Sequence, residues 1–146
     1  MNMEKFTERS RGFVQAAQTI AIREENQRVM PEHLLKALMD DEQGFASNLI
    51  SRAGGDPAAV RQAADQAVAK QPKVSGGQGQ VYVDPSLVRV LDEAEKLAKK
   101  AGDSFVPAER LLTALAVVNT NARDALTAGH VTAQALNNAI NEIRKG

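Results

Sequence analysis

The chain has 146 residues, close to one average domain. Hydrophobic residues make up 43% and charged residues 25%, and 18 Lys and Arg balance 18 Asp and Glu, giving a formal net charge of zero. That balance excludes a dedicated nucleic-acid or anionic-membrane binder, and the lack of cysteine excludes a disulfide framework, a thiolate nucleophile and a Cys-based zinc site.

In chain order the apolar spacing is helical throughout. Phe6, Phe13, Ala17 and Ile20 mark a first helix. Pro31 opens a second, carrying Leu34, Leu35 and Leu38. A third holds Phe45, Leu49 and Ile50 and stops at Gly54-Gly55. Asp56-Pro57 caps a fourth with Val60, Ala64 and Val68 on one face. Residues 71–80, rich in Gly, Gln and Pro, read as a flexible exposed loop. Val81-Tyr82-Val83 then lies extended, too short to build a sheet. Asp84-Pro85 opens a fifth helix whose Leu87, Val90, Leu91, Ala94, Leu97, Ala98 and Ala101 trace one face before Gly102 closes it. Pro107 starts a sixth, with Glu109 in its first turn and Leu111, Leu112, Leu115 and Val118 inward. Leu126 lies on a seventh that ends at Gly129. An eighth begins at Thr132 and buries Leu136, Ala139, Ile140 and Ile143.

The plan is written twice. A shift of 77 residues aligns Phe6–Leu38 with Val83–Leu115 without a gap. Glu32-His33-Leu34-Leu35-Lys36-Ala37-Leu38 and Glu109-Arg110-Leu111-Leu112-Thr113-Ala114-Leu115 share five of seven positions. Val29 falls on Val106 and Leu49 on Leu126, after which the register slips so that Ala53-Gly54 meets Ala128-Gly129. The expected fold is all-α, with eight helices as two pseudo-symmetric sets of four in one compact domain. Repeat one spans about 4–70, a linker about 71–82, and repeat two about 83–145. Charge is balanced within each copy, with ten basic and ten acidic residues in 1–75 and eight of each in 76–146.

Catalytic chemistry is sparse. His33 and His130 do not form the i, i+4 pair of a zinc helix. His33, beside Leu34, reads as a surface or half-buried helix residue, and His130 follows a helix end where a basic group suits the dipole. Gly76-Gly77-Gln78-Gly79 lacks the Gly-Lys-Ser/Thr of a phosphate cradle. Asp40-Asp41-Glu42 reads as a solvated helix end without calcium-loop spacing. The longest apolar run, Leu111–Val118, is far short of the ~20 residues that span a bilayer. No signal segment precedes the first helix, so a soluble cytoplasmic protein is expected.

The doubled pattern, with Pro-Glu-His-Leu-Leu-Lys-Ala-Leu at 31–38 and Pro-Ala-Glu-Arg-Leu-Leu-Thr-Ala-Leu at 107–115, resembles the Clp amino-terminal repeat family. The opening Met3-Glu4-Lys5-Phe6-Thr7, the linker Pro72–Gly77 and the run Gly102-Asp103-Ser104-Phe105 are more narrowly similar to the ClpB disaggregase branch. The resemblance implies a mobile substrate-recruiting domain, monomeric when isolated and without a cofactor of its own. It would precede AAA+ modules that bind ATP and Mg, form a hexamer, and work with the DnaK chaperone system. By position, Thr7, Asp103 and Glu109 match residues that contact client polypeptide, and Leu91 matches part of an apolar groove between the repeats. Glu93 and Arg110 stand where some relatives place apolar groove residues, which makes the groove narrower or more polar.

Each of these four also has a structural reading. Thr7 aligns with Asp84 and would cap the first helix, Glu109 suits a helix N-terminus, Asp103 shapes the turn after Gly102, and Leu91 lies on a core stripe. The resulting expectation is weak, reversible binding of exposed apolar segments of unfolded or aggregated proteins. The rival is a module of the ClpA or ClpC type that docks a folded adaptor.

Overall fold

A computed structural model describes residues 2–75 and 79–145, so the Gly76-Gly77-Gln78 part of the linker lies outside the described residues. The elements run α1 (Glu8–Arg23), β1 (Arg28–Val29), α2 (Pro31–Met39), α3 (Phe45–Arg52) and α4 (Pro57–Ala69) in the first repeat. They continue as β2 (Tyr82–Val83), α5 (Pro85–Lys100), α6 (Ala108–Val117), α7 (Asn121–Ala128) and α8 (Ala133–Lys145) in the second. Side-chain oxygens of Thr7, Asp56, Asp84 and Thr120 accept from first-turn amides of α1, α4, α5 and α7, so the helix starts sit where the capping residues place them. Ala17 and Ala21 on α1, and Ala94 and Ala98 on α5, are small enough for close helix packing and are essentially buried. Around them Leu34, Leu35, Leu38, Leu111, Leu112 and Leu115 from α2 and α6 form one aliphatic core.

Two seams join the repeats. In the first, β1 of repeat one pairs in parallel with β2 of repeat two, with Val29 opposite Val83. Phe6, ahead of α1, forms a parallel bridge with Val106, ahead of α6. Adding 77 to Phe6 and Val29 gives Val83 and Val106, so each repeat lends its leading segment to the other. The hydrogen bonds repeat as well: Thr7 N–H donates to the Val106 carbonyl and Asp84 N–H to the Val29 carbonyl, both at 3.1 Å. Such self-complementary exchange is the geometry of a two-fold dimer interface, here within one chain.

The second seam joins the α3–α4 turn to the α7–α8 turn. The Asp56 amide donates to the Gly129 carbonyl at 2.8 Å. The backbones approach so closely that a Cβ on Gly129 would lie 2.3 Å from Val60 Cγ2, and one on Gly55 2.5 Å from Val131 Cγ2. Only glycine fits there without displacement.

Several details differ from the sequence reading. Phe6 is buried at the inter-repeat bridge, outside α1. Tyr82–Val83 does pair, with β1, because two residues suffice to join a strand of the other repeat. Gly55 N–H to Ile50 O and Val131 N–H to Leu126 O are both 2.9 Å, so the second half of each repeat follows a shift of 76 and Leu126 is the counterpart of Ile50. Ile143 is 48% exposed, because the last turn of α8 runs past the helices that cover its earlier turns. His33 is fully buried rather than half-buried. Asp40 and Asp41 are held by cations, with Arg61 and Lys36 on Asp40 and Arg9 on Asp41.

Candidate functional site

Thr7, Asp103 and Glu109 come together around the Phe6–Val106 bridge. Thr7 caps α1: its Oγ1 accepts from the Ser10 amide at 3.1 Å and donates to Ser10 Oγ at 2.9 Å. Ser10 Oγ donates in turn to the Val106 carbonyl at 2.8 Å, which ties α1 to the loop before α6. Asp103 lies in that loop, one residue after Gly102, whose φ of 81° turns the chain out of α5. Glu109 lies in the first turn of α6.

Neither carboxylate is free. Arg144, at the end of α8, donates Nη1 and Nη2 to the two oxygens of Asp103 at 3.0 and 3.1 Å. Its Nη2 also reaches Glu109 Oε2 at 3.3 Å. This bidentate arrangement raises the Arg144 pKa, chiefly through its hydrogen bonds to Asp103. Behind Asp103 lies Arg110, which is almost wholly buried, with Nε 3.7 Å from Asp103 and Nη1 bonded to Asn137 Oδ1 at 2.9 Å. Burial, then the charge on Arg144, lowers the Arg110 pKa, while Asp103 and Glu109 pull it back. Two cations and two anions thus form a neutral cluster that fixes the loop.

Leu91 is 2% exposed and faces the core from α5. It does not line the surface. Glu93 is half-buried on α5, and Arg110 belongs to the charge cluster rather than to an open groove. A groove of about 540 Å³ borders Asp103, lined by Lys5, Lys96 and Lys99, by the carboxylates of Asp92 and Glu95, and by Phe105 among others. Phe105 is 57% exposed, as is Tyr82, while Phe6, Phe13 and Phe45 are buried or half-buried. Neither Phe105 nor Arg144 stands out as a site residue in the sequence; the available signal is an aromatic in the short stretch between the helix-ending Gly102 and the helix-starting Pro107.

The two histidines sit apart from this cluster. His33 Nδ1 accepts from the Met30 amide at 2.9 Å, and Nε2 donates to Asn26 Oδ1 at 2.8 Å, which makes Nε2 the protonated nitrogen of the neutral ring. Burial lowers its pKa to about 4, with Glu24 opposing. His130 is exposed with φ 62° at the α7–α8 turn. Among the described residues no three His, Cys, Asp or Glu side chains group closely enough to hold a metal ion. Among the described residues no helix is long and apolar enough to cross a membrane.

Residues 5–129 match the family described as the Clp repeat (R) N-terminal domain. The whole chain is 56% identical to part of the Chaperone protein ClpB of Agrobacterium fabrum, and 37% identical to part of that of Rickettsia felis. It spans about 17% of the length of these curated relatives. Among solved structures, the Hsp104 N-terminal domain from Candida albicans superposes with a TM-score of 0.84 at 20% identity, covering 97% of this chain and 92% of that one. The N-terminal domain of the ClpV1 ATPase from E. coli gives 0.76 at 20% identity, covering 93% and 83%. At that identity the likeness is one of fold.

Proposed function

The chain belongs to the Clp repeat N-terminal domain family, in its ClpB-type branch, and on that premise we propose that it is the recruiting module of a longer ATP-dependent disaggregase. It binds exposed apolar segments of unfolded or aggregated polypeptides and delivers them to an AAA+ ring. The observation that carries this reading is the exposed Phe105 in the groove along α5, beside Asp103. Phe105 offers an apolar contact, and Asp103 and Glu109, paired with Arg144, hold the loop that presents it. Thr7 and Leu91 act by holding the α1 start and the α5 face that support this loop. Repeat one is about 4–70, the linker about 71–82 and repeat two about 83–145.

Affinity per domain is weak, because a client held tightly could not pass onward, and several domains on one ring multiply it through effective concentration. ATP and Mg act in the AAA+ modules of the hexamer, which operates in the cytoplasm with the DnaK system. The chain itself performs no chemistry.

Titrating the 15N-labelled chain with a permanently unfolded protein, reduced and carboxymethylated α-lactalbumin, tests the reading. Expected are fast-exchange shifts at Thr7, Asp103, Phe105 and Glu109. Absence of any binding refutes recruitment, and stable co-purification with a folded adaptor instead favours the docking role.

A further inference from the structure

The repeats share a backbone turn but differ in what lies against it. After α1 the turn places Glu25 at φ 59°, and after α5 it places Gly102 at φ 81°. The next amides, Asn26 and Asp103, bond back to Ala21 and Ala98, each at 2.9 Å. On repeat one the inter-repeat segment covers this edge in antiparallel pairing, with Lys73 opposite Asn26. Val74 N–H donates to the Glu25 carbonyl at 2.8 Å, Asn26 Nδ2 to the Pro72 carbonyl at 3.2 Å, and Lys73 Nζ to the Glu24 carbonyl at 2.8 Å. Asn26 is consequently 4% exposed.

On repeat two the corresponding place is open. Among the described residues no backbone amide donates to the Gly102 carbonyl, the counterpart of Glu25 O. Gly102, Ser104 and Phe105 are exposed, and the groove of about 540 Å³ lies alongside. An unpaired backbone edge is a template for another strand.

We propose that the Gly102–Phe105 edge docks an extended strand of an unfolded partner polypeptide, paired antiparallel as residues 72–74 are paired on repeat one. The proposal rests on the recruiting function above and adds how the client backbone is held. The Gly102 carbonyl takes a backbone N–H, which every residue but proline supplies, so recognition is largely independent of sequence. Phe105 and the alkyl stems of Lys96 and Lys99 take an apolar side chain of the strand. Asp103 replaces Asn26; its carboxylate is held by Arg144 and cannot donate to a strand carbonyl, so the strand is held at Gly102 and Phe105 without the side-chain bond that Asn26 makes.

The linker itself supplies the probe. A capped peptide of the sequence of residues 69–75, added to the 15N,13C-labelled chain at millimolar concentration, is expected to shift Gly102–Phe105 with little change at Glu25–Gln27, whose edge is occupied. N-methylation at the Val74 position removes the donor and should weaken binding roughly three- to tenfold. N-methylation at the Lys73 position, whose N–H points to the other side by the alternation of an antiparallel pair, should leave it nearly unchanged. Equal loss with either methyl group, shifts centred on Glu25–Gln27, or no shift at Gly102–Phe105 overturns the strand pairing. The α-lactalbumin titration run in parallel separates the two readings. Client shifts elsewhere on the surface leave recruitment standing without this edge, and no client shifts at all remove both.

Discussion

The His33 ring sets a pH dependence that can be worked out from its contacts. Its Nδ1 accepts the Met30 amide, so a second ring proton would face a donor, and its burial disfavours charge in any case. The folded pKa of about 4 lies below the unburied value of 6.5. The unfolded chain therefore takes up the proton first as pH falls. The stability tied to the neutral ring is fully present above about 6.5 and is lost progressively down to about 4. Each unit of pKa difference is worth about 1.4 kcal/mol, so the full loss is about 3.5 kcal/mol, of which about 2 kcal/mol falls between pH 7.5 and 5. At a typical slope for a domain of this size, that moves the urea midpoint by about 1 M. The assay is equilibrium urea unfolding at pH 7.5 and 5, compared with His33→Gln. Glutamine at this position can still accept the Met30 amide but does not titrate. Carboxylates titrate in both proteins, so the difference between them isolates the ring. Equal losses in the two would refute the reasoning.

Three further outcomes follow from particular contacts. Gly129→Ala puts a methyl group against Val60 and the Asp56 carbonyl, and should cost about 1–3 kcal/mol in thermal unfolding. Glu25→Gly removes a left-handed non-glycine residue and should stabilise by about 0.5–1 kcal/mol, seen as a higher urea midpoint. A double-mutant cycle of Arg144→Ala with Asp103→Ala should show about 0.5–1 kcal/mol of coupling at low salt, shrinking at high salt because Arg144 is partly exposed.

The helices were legible because each carries its own signal. Asp84-Pro85 and Asp56-Pro57 begin helices as their chemistry requires, and the Leu87–Ala98 spacing identifies the buried face of α5. The seams were less so. β1 and β2 are two residues each, their bonds use backbone groups that any sequence has, and only the repeat of Val29 in Val106 hinted that the positions were equivalent. The Gly129–Val60 contact, with its one-residue shift, depends on an approach between distant turns. At the candidate site, Thr7, Asp103 and Glu109 were named from their places in the motif, and the capping role of Thr7 was visible in its alignment with Asp84. The Arg144 clamp was not, since a partner 41 residues away leaves no local pattern. Position on a stripe could not tell whether Leu91 lined a groove or backed one, because both place it on the apolar face of α5.

The exchange of leading segments also constrains how the chain can be made and cut. Phe6 finds its partner only when Val106 exists, one hundred residues later. During synthesis the first repeat therefore leaves the ribosome with an unpaired start and an open Val29 edge, and neither closes until the second repeat follows. The two halves mature together, as a single cooperative unit with long loops to close. A protease that nicks the linker near residue 79 would leave two pieces still clasped by both seams, and the fragments should co-elute until denaturant parts them.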